Sequence, residues 1–445
     1  MTELEKFASL FSEICDGDPE NLSIDKARKI IQALNEFLYT TDDGLGTVNE
    51  LGTEFAYFSE FHKYWEAHHK EILNLTIDDA ACELVADALH DVYLRTDGKA
   101  FSEVWDTCGL SNEEVCRVRM LSANQDFRGS RKFSDLAETY RSDNTIFDER
   151  KIYDEPEEFV RSIGITSLSQ NDKRTQYAKC ISNFLIEHTS SPYKIIDRFG
   201  RDVYEFRNAL INYPGAGYGN KKADMFIRDM VVLGIWENIA GFDKIDVASD
   251  VNTIKVALRT GILKSAIPLV SSFLDIFSYQ YGYVDEKNAL AWRKVWEKWS
   301  GKYPDESIAS PCLLDFFVYN VVGRQFCKEI LCIFECETHE HRFKWHSGRN
   351  KTCQECHRHG IRNHAEVLYK VMPCMDEDGS IAIKETDFYR SGMASPNVER
   401  CPFYKACASN GFKMLTPPKS ISILGQTGWS TAYAKKGQGG GGLMA

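Results

Sequence analysis

The sequence contains no apolar run as long as a membrane span, and its first residues, MTELEKFASLFSEICDGD, lack the basic and then apolar pattern of a secretory signal. A helix needs about 18 consecutive apolar residues to cross a bilayer, so neither a membrane protein nor a secreted protein is predicted. We therefore expect a cytoplasmic protein without a membrane partner.

An excess of basic residues is also absent, because the net charge is -12. This charge excludes a protein that coats nucleic acid with its whole surface, although one face of an acidic chain can still be basic. The length of the chain does not restrict it to a single domain. A chain of 445 residues with 43% hydrophobic content suffices for two or three domains with cores of their own.

Cysteine, in contrast, is concentrated in one part of the chain, since nine of the 14 cysteines lie from Cys312 onward. Disulfides explain them poorly in a chain without a secretory signal. The distribution therefore predicts a metal-binding module in the C-terminal part.

The helical spacing of apolar residues predicts a mainly α protein. We expect four consecutive segments. These are an N-terminal helical region at 1–105, a second helical domain at 106–330, a Cys/His metal-binding module with a β-ribbon at 331–410 and a flexible tail at 411–445.

One short stretch, NYPGAGYGNKKAD at 212–224, lies between two segments with helical patterns. Its glycines permit a tight turn and leave backbone N–H groups uncovered. Two lysines follow in the first turn of the next helix. The bare amides, the helix dipole and the lysines together favour an anion such as a DNA phosphate.

Within this stretch, GYGNKKAD at 217–224 resembles the hairpin of the helix-hairpin-helix DNA glycosylase superfamily. Three further segments resemble blocks of the same superfamily in the same order, at 120–140, 157–188 and 249–259. The chain is most similar to endonuclease III and the archaeal 8-oxoguanine DNA glycosylases. The resemblance implies the helix-hairpin-helix glycosylase fold with an N-terminal helical extension and a small C-terminal β-ribbon metal module.

The resemblance also implies catalytic roles. Lys221 matches the lysine that attacks C1′ of the damaged nucleotide, with Lys222 as the alternative. Asp250 matches the catalytic carboxylate, with Asp246 in KIDVASD as the competitor. A carboxylate at this place stabilises the positive charge that develops on the sugar, and the lysine needs a lowered pKa to act as a nucleophile.

DNA contacts follow from the same resemblance. Asn124 or Gln125 is expected to fill the gap left by a flipped base, and Asp315 in LLDFFVYN matches an aspartate that contacts that base. The remaining expected DNA-binding residues are Gly215, Gly217, Gly219, Asn220 and Arg128.

The metal ligands are predicted from spacing. Cys336, His339, Cys353 and Cys356 form two pairs that suit a structural zinc ribbon, and His341 is an alternative to His339. Cys401 and Cys407 in CPFYKAC resemble the end of the iron–sulfur motif of endonuclease III-type enzymes. That resemblance implies, as the alternative, a [4Fe–4S] cluster held by Cys353, Cys356, Cys401 and Cys407.

We therefore expect a monomeric DNA glycosylase that flips out and excises a damaged or modified base from double-stranded DNA, with an associated β-lyase activity through a Schiff base. One alternative is a monofunctional glycosylase that acts on modified bases in foreign DNA such as phage DNA. Others are a non-enzymatic helix-hairpin-helix DNA-binding protein and a zinc-ribbon nuclease suggested by the histidines of HEHRFKWH. The base is not predicted, and a role in repair and one in antiviral defence both stay open.

Overall fold

A computed structural model of the chain describes residues 3–16, 18, 22–30, 64, 67–126, 131–165, 171–189, 191–266, 281–326, 333–336, 341–344, 368–369, 372–375, 381–384 and 401–410. These residues form two compact units, each built from separate stretches of the chain. The first unit takes the described residues within 1–88, 251–291 and 321–445, and the second unit takes those within 89–250 and 292–320. The four consecutive segments expected from the sequence stay a prediction.

The prediction of a mainly α protein is confirmed, because most described residues are helical. The helices are α1 Glu3–Cys15, α2 Asp79–Thr96, α3 Asn112–Ser122, α4 Phe133–Ser142, α5 Glu149–Asp154, α6 Pro156–Ser162, α7 Asn171–His188, α8 Val203–Asn212, α9 Asn220–Val232, α10 Val251–Thr260, α11 Tyr281–Lys302, α12 Leu314–Phe316 and α13 Tyr404–Ser409. A π-helix, Phe317–Phe326, continues α12.

The strands of the described residues are short. They are β1 Thr76–Ile77, β2 Leu263–Lys264, β3 Ile333–Cys336, β4 His341–Lys344, β5 Leu368–Tyr369, β6 Met372–Met375 and β7 Ile381–Lys384. All pairings are antiparallel: β1 with β2, β3 with both β4 and β5, and β6 with β7. Most of the predicted Cys/His module lies outside the described residues, so its β-ribbon stays a prediction.

Side-chain caps set the starts of several helices in the second unit. Ser111 and Glu114 form a capping box at the start of α3. The Asp202 carboxylate accepts from the backbone N–H groups of Tyr204 and Glu205 and begins α8. These local signals are readable from the sequence and fix where α3 and α8 begin.

The core of the second unit packs aromatic side chains from α8, α9 and the segment after α9. Trp236 is 1% exposed and meets the rings of Phe206 and Phe226 edge-on, at centroid distances of 5.2 and 5.5 Å. Burying a large side chain of this kind contributes about 1.5–3 kcal/mol, and edge-to-face contacts add to it. The packing fixes α8 and α9 relative to each other.

Two tryptophans of α11, Trp292 and Trp299, are core residues rather than an exposed stacking surface. Trp292 and Trp299 are both 0% exposed. The indole N–H groups of Trp296 and Trp299 donate to the carbonyls of Ile308 and Glu306, at 2.8 and 3.0 Å. The polar ends of these rings are therefore satisfied inside the second unit.

In the first unit, residues 401–410 close the C-terminal end of α10. The Asn410 side chain donates to the carbonyls of Leu258 and Arg259 at 3.1 and 3.2 Å. Gly261 has a φ of 78°, and a Cβ there would lie 2.9 Å from the Asn410 side chain, so glycine suits this position for two reasons. The described helices include none that is both long and apolar enough to cross a membrane.

Candidate active site

The glycine turn joins α8 to α9 and packs against α7. Gly215 and Gly217 have φ values of 75° and 72°, in the left-handed region that glycine adopts most readily. A Cβ on Gly217 would lie 2.5 Å from the ring of Tyr177, and one on Gly215 would lie 2.8 Å from the Cys180 sulfur. Both glycines are therefore required by the backbone conformation and by the close approach of α7.

Two hydrogen bonds fasten this turn to the end of α3 and the residues that follow it, and a third joins the same residues to α7. The Tyr218 hydroxyl donates to the Met120 carbonyl at 2.6 Å. The Asn124 side chain donates to the Ala216 carbonyl at 2.9 Å, and it also donates to the Tyr177 carbonyl at 3.0 Å. The segment LSANQ is thus the support on which the glycine turn rests.

Asn124 and Gln125 are consequently core residues, 0% and 2% exposed. The Gln125 amide donates to Asn124 Oδ1 and to the Arg174 carbonyl, at 3.1 and 3.2 Å. Filling the gap left by a flipped base requires an exposed side chain, so this placement does not fit the role expected for either residue. Arg128 lies outside the described residues.

Lys222 points from the first turn of α9 into the second unit, where its ammonium donates to the Asn124 carbonyl at 2.7 Å. Burial lowers the pKa of Lys222 to about 8, with the Asp126 carboxylate opposing the change and the charges of Arg174, Lys221 and Arg119 adding to it. Lys222 therefore completes the fastening of the glycine turn. Its neighbour Lys221 is exposed on the same helical turn.

The start of α9 is open to solvent around Gly219. This residue has an extended φ of -101° and ψ of -178°, is exposed, and has no atom within 4 Å of an added Cβ. Asn220 is exposed beside it. The sequence predicts that Gly219 and Asn220 contact DNA, and their exposure permits that contact.

Asp315, at the start of the helix after Pro311, is 8% exposed and accepts from Arg228 Nη1 of α9 at 2.7 Å. Burial raises the pKa of Asp315 to about 6, and the Arg228 guanidinium opposes the rise. The carboxyl is ionised at neutral pH and gains a proton as the pH falls through about 6.

Two of the predicted catalytic residues act on this carboxyl. The Asp250 carboxylate raises the pKa of Asp315 more than the Asp229 carboxylate does, and the Lys221 ammonium lowers it. Asp250 and Lys221 therefore interact electrostatically with Asp315 within the second unit, and we call these three residues the candidate site.

Asp246, the competitor of Asp250, lies in a different group of charges. Its carboxylate accepts from Arg293 Nε at 2.7 Å. It also acts on Asp224, whose pKa burial raises to about 6 and which pairs with Arg207. Asp246 is therefore paired with Arg293, whereas Asp250 belongs to the candidate site.

The predicted metal ligands lie in the part of the chain that the structure largely leaves out. His339, Cys353 and Cys356 fall outside the described residues, and Cys336 ends β3 opposite His341 of β4. Cys401 and Cys407, of the iron–sulfur alternative, are buried at 7% and 9% exposure. Among the described residues, no group of three or more potential ligands could hold a metal ion, and the zinc and iron–sulfur assignments stay predictions.

No protein-family model and no curated protein matches the chain.

Arg228 and Asp229 of α9, which the sequence did not single out, connect the candidate site to the core. Asp229 of α9 is 0% exposed and accepts from Arg228 Nη2, Trp105 Nε1 and Arg119 Nε, at 2.5, 3.0 and 3.3 Å. Arg119 in turn donates to Asp126 at 3.0 Å. Two charged residues in the middle of an otherwise apolar α9 segment, FIRDMVV, are the signal that could have identified them.

Proposed function

We propose that this protein is a DNA glycosylase of the helix-hairpin-helix superfamily that flips out and excises a damaged or modified base, with an associated β-lyase activity. The observation that carries the proposal is the grouping of Lys221, Asp250 and Asp315, which are distant in the chain. An exposed amine that interacts electrostatically with a buried carboxyl, on which a second carboxylate also acts, provides the groups that this chemistry uses.

In the proposed reaction the Lys221 amine attacks C1′ as the N-glycosidic bond breaks. The bonding electrons leave with the base and a bond forms between Nζ of the neutral amine and C1′. Nζ then releases one proton to solvent, which balances the proton that the departing base takes up. The Asp250 carboxylate stabilises the positive charge on the sugar. Opening of the sugar ring then gives a Schiff base, from which β-elimination cleaves the strand at the 3′ phosphate.

Of the two lysines, Lys221 suits this role better. Lys222 has the lowered pKa that a nucleophile needs, yet its ammonium is committed to the Asn124 carbonyl inside the second unit. Lys221 is exposed and acts electrostatically on Asp315. We therefore assign the nucleophile to Lys221 and a structural role to Lys222.

The start of α9 is proposed to bind a DNA phosphate. A helix N-terminus offers unpaired backbone N–H groups and a positive dipole end. The open space around Gly219 supports a close approach of the DNA backbone. Gly215 and Gly217 would contribute indirectly, because they shape the turn that leads into α9.

A structural metal is part of the proposal, with Cys336, His339, Cys353 and Cys356 as zinc ligands. The spacing of two ligand pairs supports zinc, which in such a site stabilises a small module and takes no part in the reaction. The iron–sulfur alternative would need Cys401 and Cys407 to reach the same metal group.

The experiment is incubation with a panel of duplexes that each contain one altered base, namely 8-oxoguanine, thymine glycol, uracil, 3-methyladenine or 5-hydroxymethylcytosine. Released base and strand cleavage are both measured. We expect release from at least one duplex, and its loss in Asp250→Asn with the circular dichroism spectrum unchanged. Asp246→Asn is the matched control and should retain activity.

Each alternative has a distinct result in the same experiment. Base release without strand cleavage indicates the monofunctional enzyme. DNA binding without release from any duplex indicates the non-enzymatic protein, and cleavage of unmodified DNA that requires added Mg²⁺ indicates the nuclease.

A further inference from the structure

A continuous line of buried charges runs from the support of the glycine turn to the candidate site. It alternates in sign along its whole length: Asp126, Arg119, Asp229, Arg228 and Asp315. The side chains of Arg119, Asp229, Arg228 and Asp315 are 10%, 1%, 8% and 11% exposed, so this is an interior feature of the second unit.

Stability alone explains such a line poorly. Taking ions out of water is costly, and replacing buried ion pairs with well-packed apolar residues is often neutral or stabilising. Ile227 and Met230, which flank Arg228 and Asp229 in the sequence of α9, are fully buried. A positional role at the end of the line accounts for it better, because that end is Asp315.

We propose that Arg228 is a positioning residue that fixes the Asp315 carboxylate of the candidate site, and that Asp229 is the anchor that fixes Arg228. This role rests on the excision activity proposed above. Arg228 can do this because its guanidinium forms two hydrogen bonds to Asp229 at 2.5 and 3.1 Å while Nη1 bonds Asp315. Asp229 is itself fixed by Trp105 and Arg119.

The charges around Asp315 determine whether its pKa rises or falls when Arg228 is removed. Arg228 and Lys221 lower the pKa of Asp315, whereas burial and the carboxylates of Asp250 and Asp229 raise it. The buried Cys312 thiol also interacts with Asp315, and burial raises the pKa of that thiol. Without Arg228, Asp315 would face two carboxylates with Lys221 as its remaining cation among these groups, so its proton affinity would rise.

The test compares Arg228→Gln with Arg228→Lys and with a control, Arg117→Gln. Arg117 is a suitable control because it also pairs with two carboxylates, those of Glu149 and Glu113, at 2.6 and 3.3 Å. The first measurement needs no substrate: the Asp315 carboxyl is titrated by NMR in protein labelled with ¹³C at aspartate Cγ, and its signal is assigned by its absence in Asp315→Asn.

We expect Arg228→Gln to raise the pKa of Asp315 by about 1–3 pH units, the effect of losing an opposite charge at hydrogen-bond distance. Arg228→Lys should give a smaller rise, and Arg117→Gln should give none. An unchanged titration of Asp315 in Arg228→Gln would overturn the proposal. Should Arg228→Gln fail to fold, Arg228→Lys decides the question in the same way.

The second measurement is the pH profile of kcat/KM on the duplex from the panel that releases its base fastest. For Arg228→Gln we expect kcat/KM to fall by about 2- to 100-fold at pH 7 and to recover at higher pH. The reason is that the acidic limb of the profile shifts to higher pH together with the pKa of Asp315. An equal loss at every pH would show a merely structural role and overturn the proposal. If the wild-type protein releases no base, the proposed function fails, while the titration still decides whether Arg228 controls Asp315.

Discussion

Lys222 provides a quantitative test of how the glycine turn is fastened, through the variant Lys222→Met. A pKa lowered from 10.5 to about 8 corresponds to about 3 kcal/mol, at about 1.4 kcal/mol per pH unit. This is the free energy by which the folded protein disfavours the charged amine relative to the unfolded chain. Methionine has a similar length and removes both this cost and the hydrogen bond to the Asn124 carbonyl.

The sign of the pH dependence follows from proton binding. Between pH 8 and pH 10.5 the unfolded chain keeps the Lys222 proton while the folded protein has lost it, so the stability of the wild type rises with pH in this window. Below pH 8 the lysine is charged in both states, so the folded protein bears the full free-energy cost of the charged amine. The variant lacks this contribution at every pH.

The assay is urea denaturation of wild type and Lys222→Met at several pH values from 7 to 10.5, followed by tryptophan fluorescence. We expect the free energy of unfolding of the wild type to gain about 3 kcal/mol relative to the variant across this range. Near neutral pH the two should differ little, because the lost hydrogen bond costs about 1–3 kcal/mol and offsets the relief of the buried charge. Lys194→Met, which removes an exposed lysine of the same unit, is the control. A difference that stays constant with pH would refute a buried Lys222.

Three further predictions concern the turn and the metal. Asn124→Ala should lower the free energy of unfolding by about 1–3 kcal/mol, because two buried carbonyls lose their donor, and an unchanged denaturation midpoint would contradict this. Gly217→Ala should destabilise the protein through its contact with Tyr177. Gly219→Ala should instead weaken DNA binding, with at most about 1 kcal/mol of lost stability. A larger loss of stability in Gly219→Ala than in Gly217→Ala would contradict these roles. Elemental analysis should find one zinc per chain, lost in Cys353→Ser, and iron with a brown colour would instead support the cluster.

The sequence predicted the helical class and the turn well because both depend on local signals. Glycines at left-handed positions, the Asp202 cap and the apolar spacing of α9 all lie within a few residues of the feature that they specify. That Asp250 and Lys221 form one catalytic site is implied only by the order of segments that resemble a known superfamily, and it stays a prediction.

Other features depend on contacts between distant segments, which spacing does not reveal. Asn124 was expected at the DNA surface, yet its amide lies in the core because carbonyls from α7 and the glycine turn converge on it. Lys222 and Lys221 are neighbours in sequence and differ in burial because successive helical residues point about 100° apart. The pairing of Asp315 with Arg228 joins segments far apart in the chain and was left open.

The central claim is that Lys221, and not Lys222, is the amine that meets the sugar of an extruded nucleotide beside Asp250. Its most direct test is reduction with borohydride during incubation with the duplex panel, which converts a Schiff base into a stable protein–DNA link, followed by mass mapping of the linked peptide. The account predicts a link at Lys221 that is lost in Lys221→Met and kept in Lys222→Met. A link at Lys222, or base release with strand cleavage and no link at all, would contradict it.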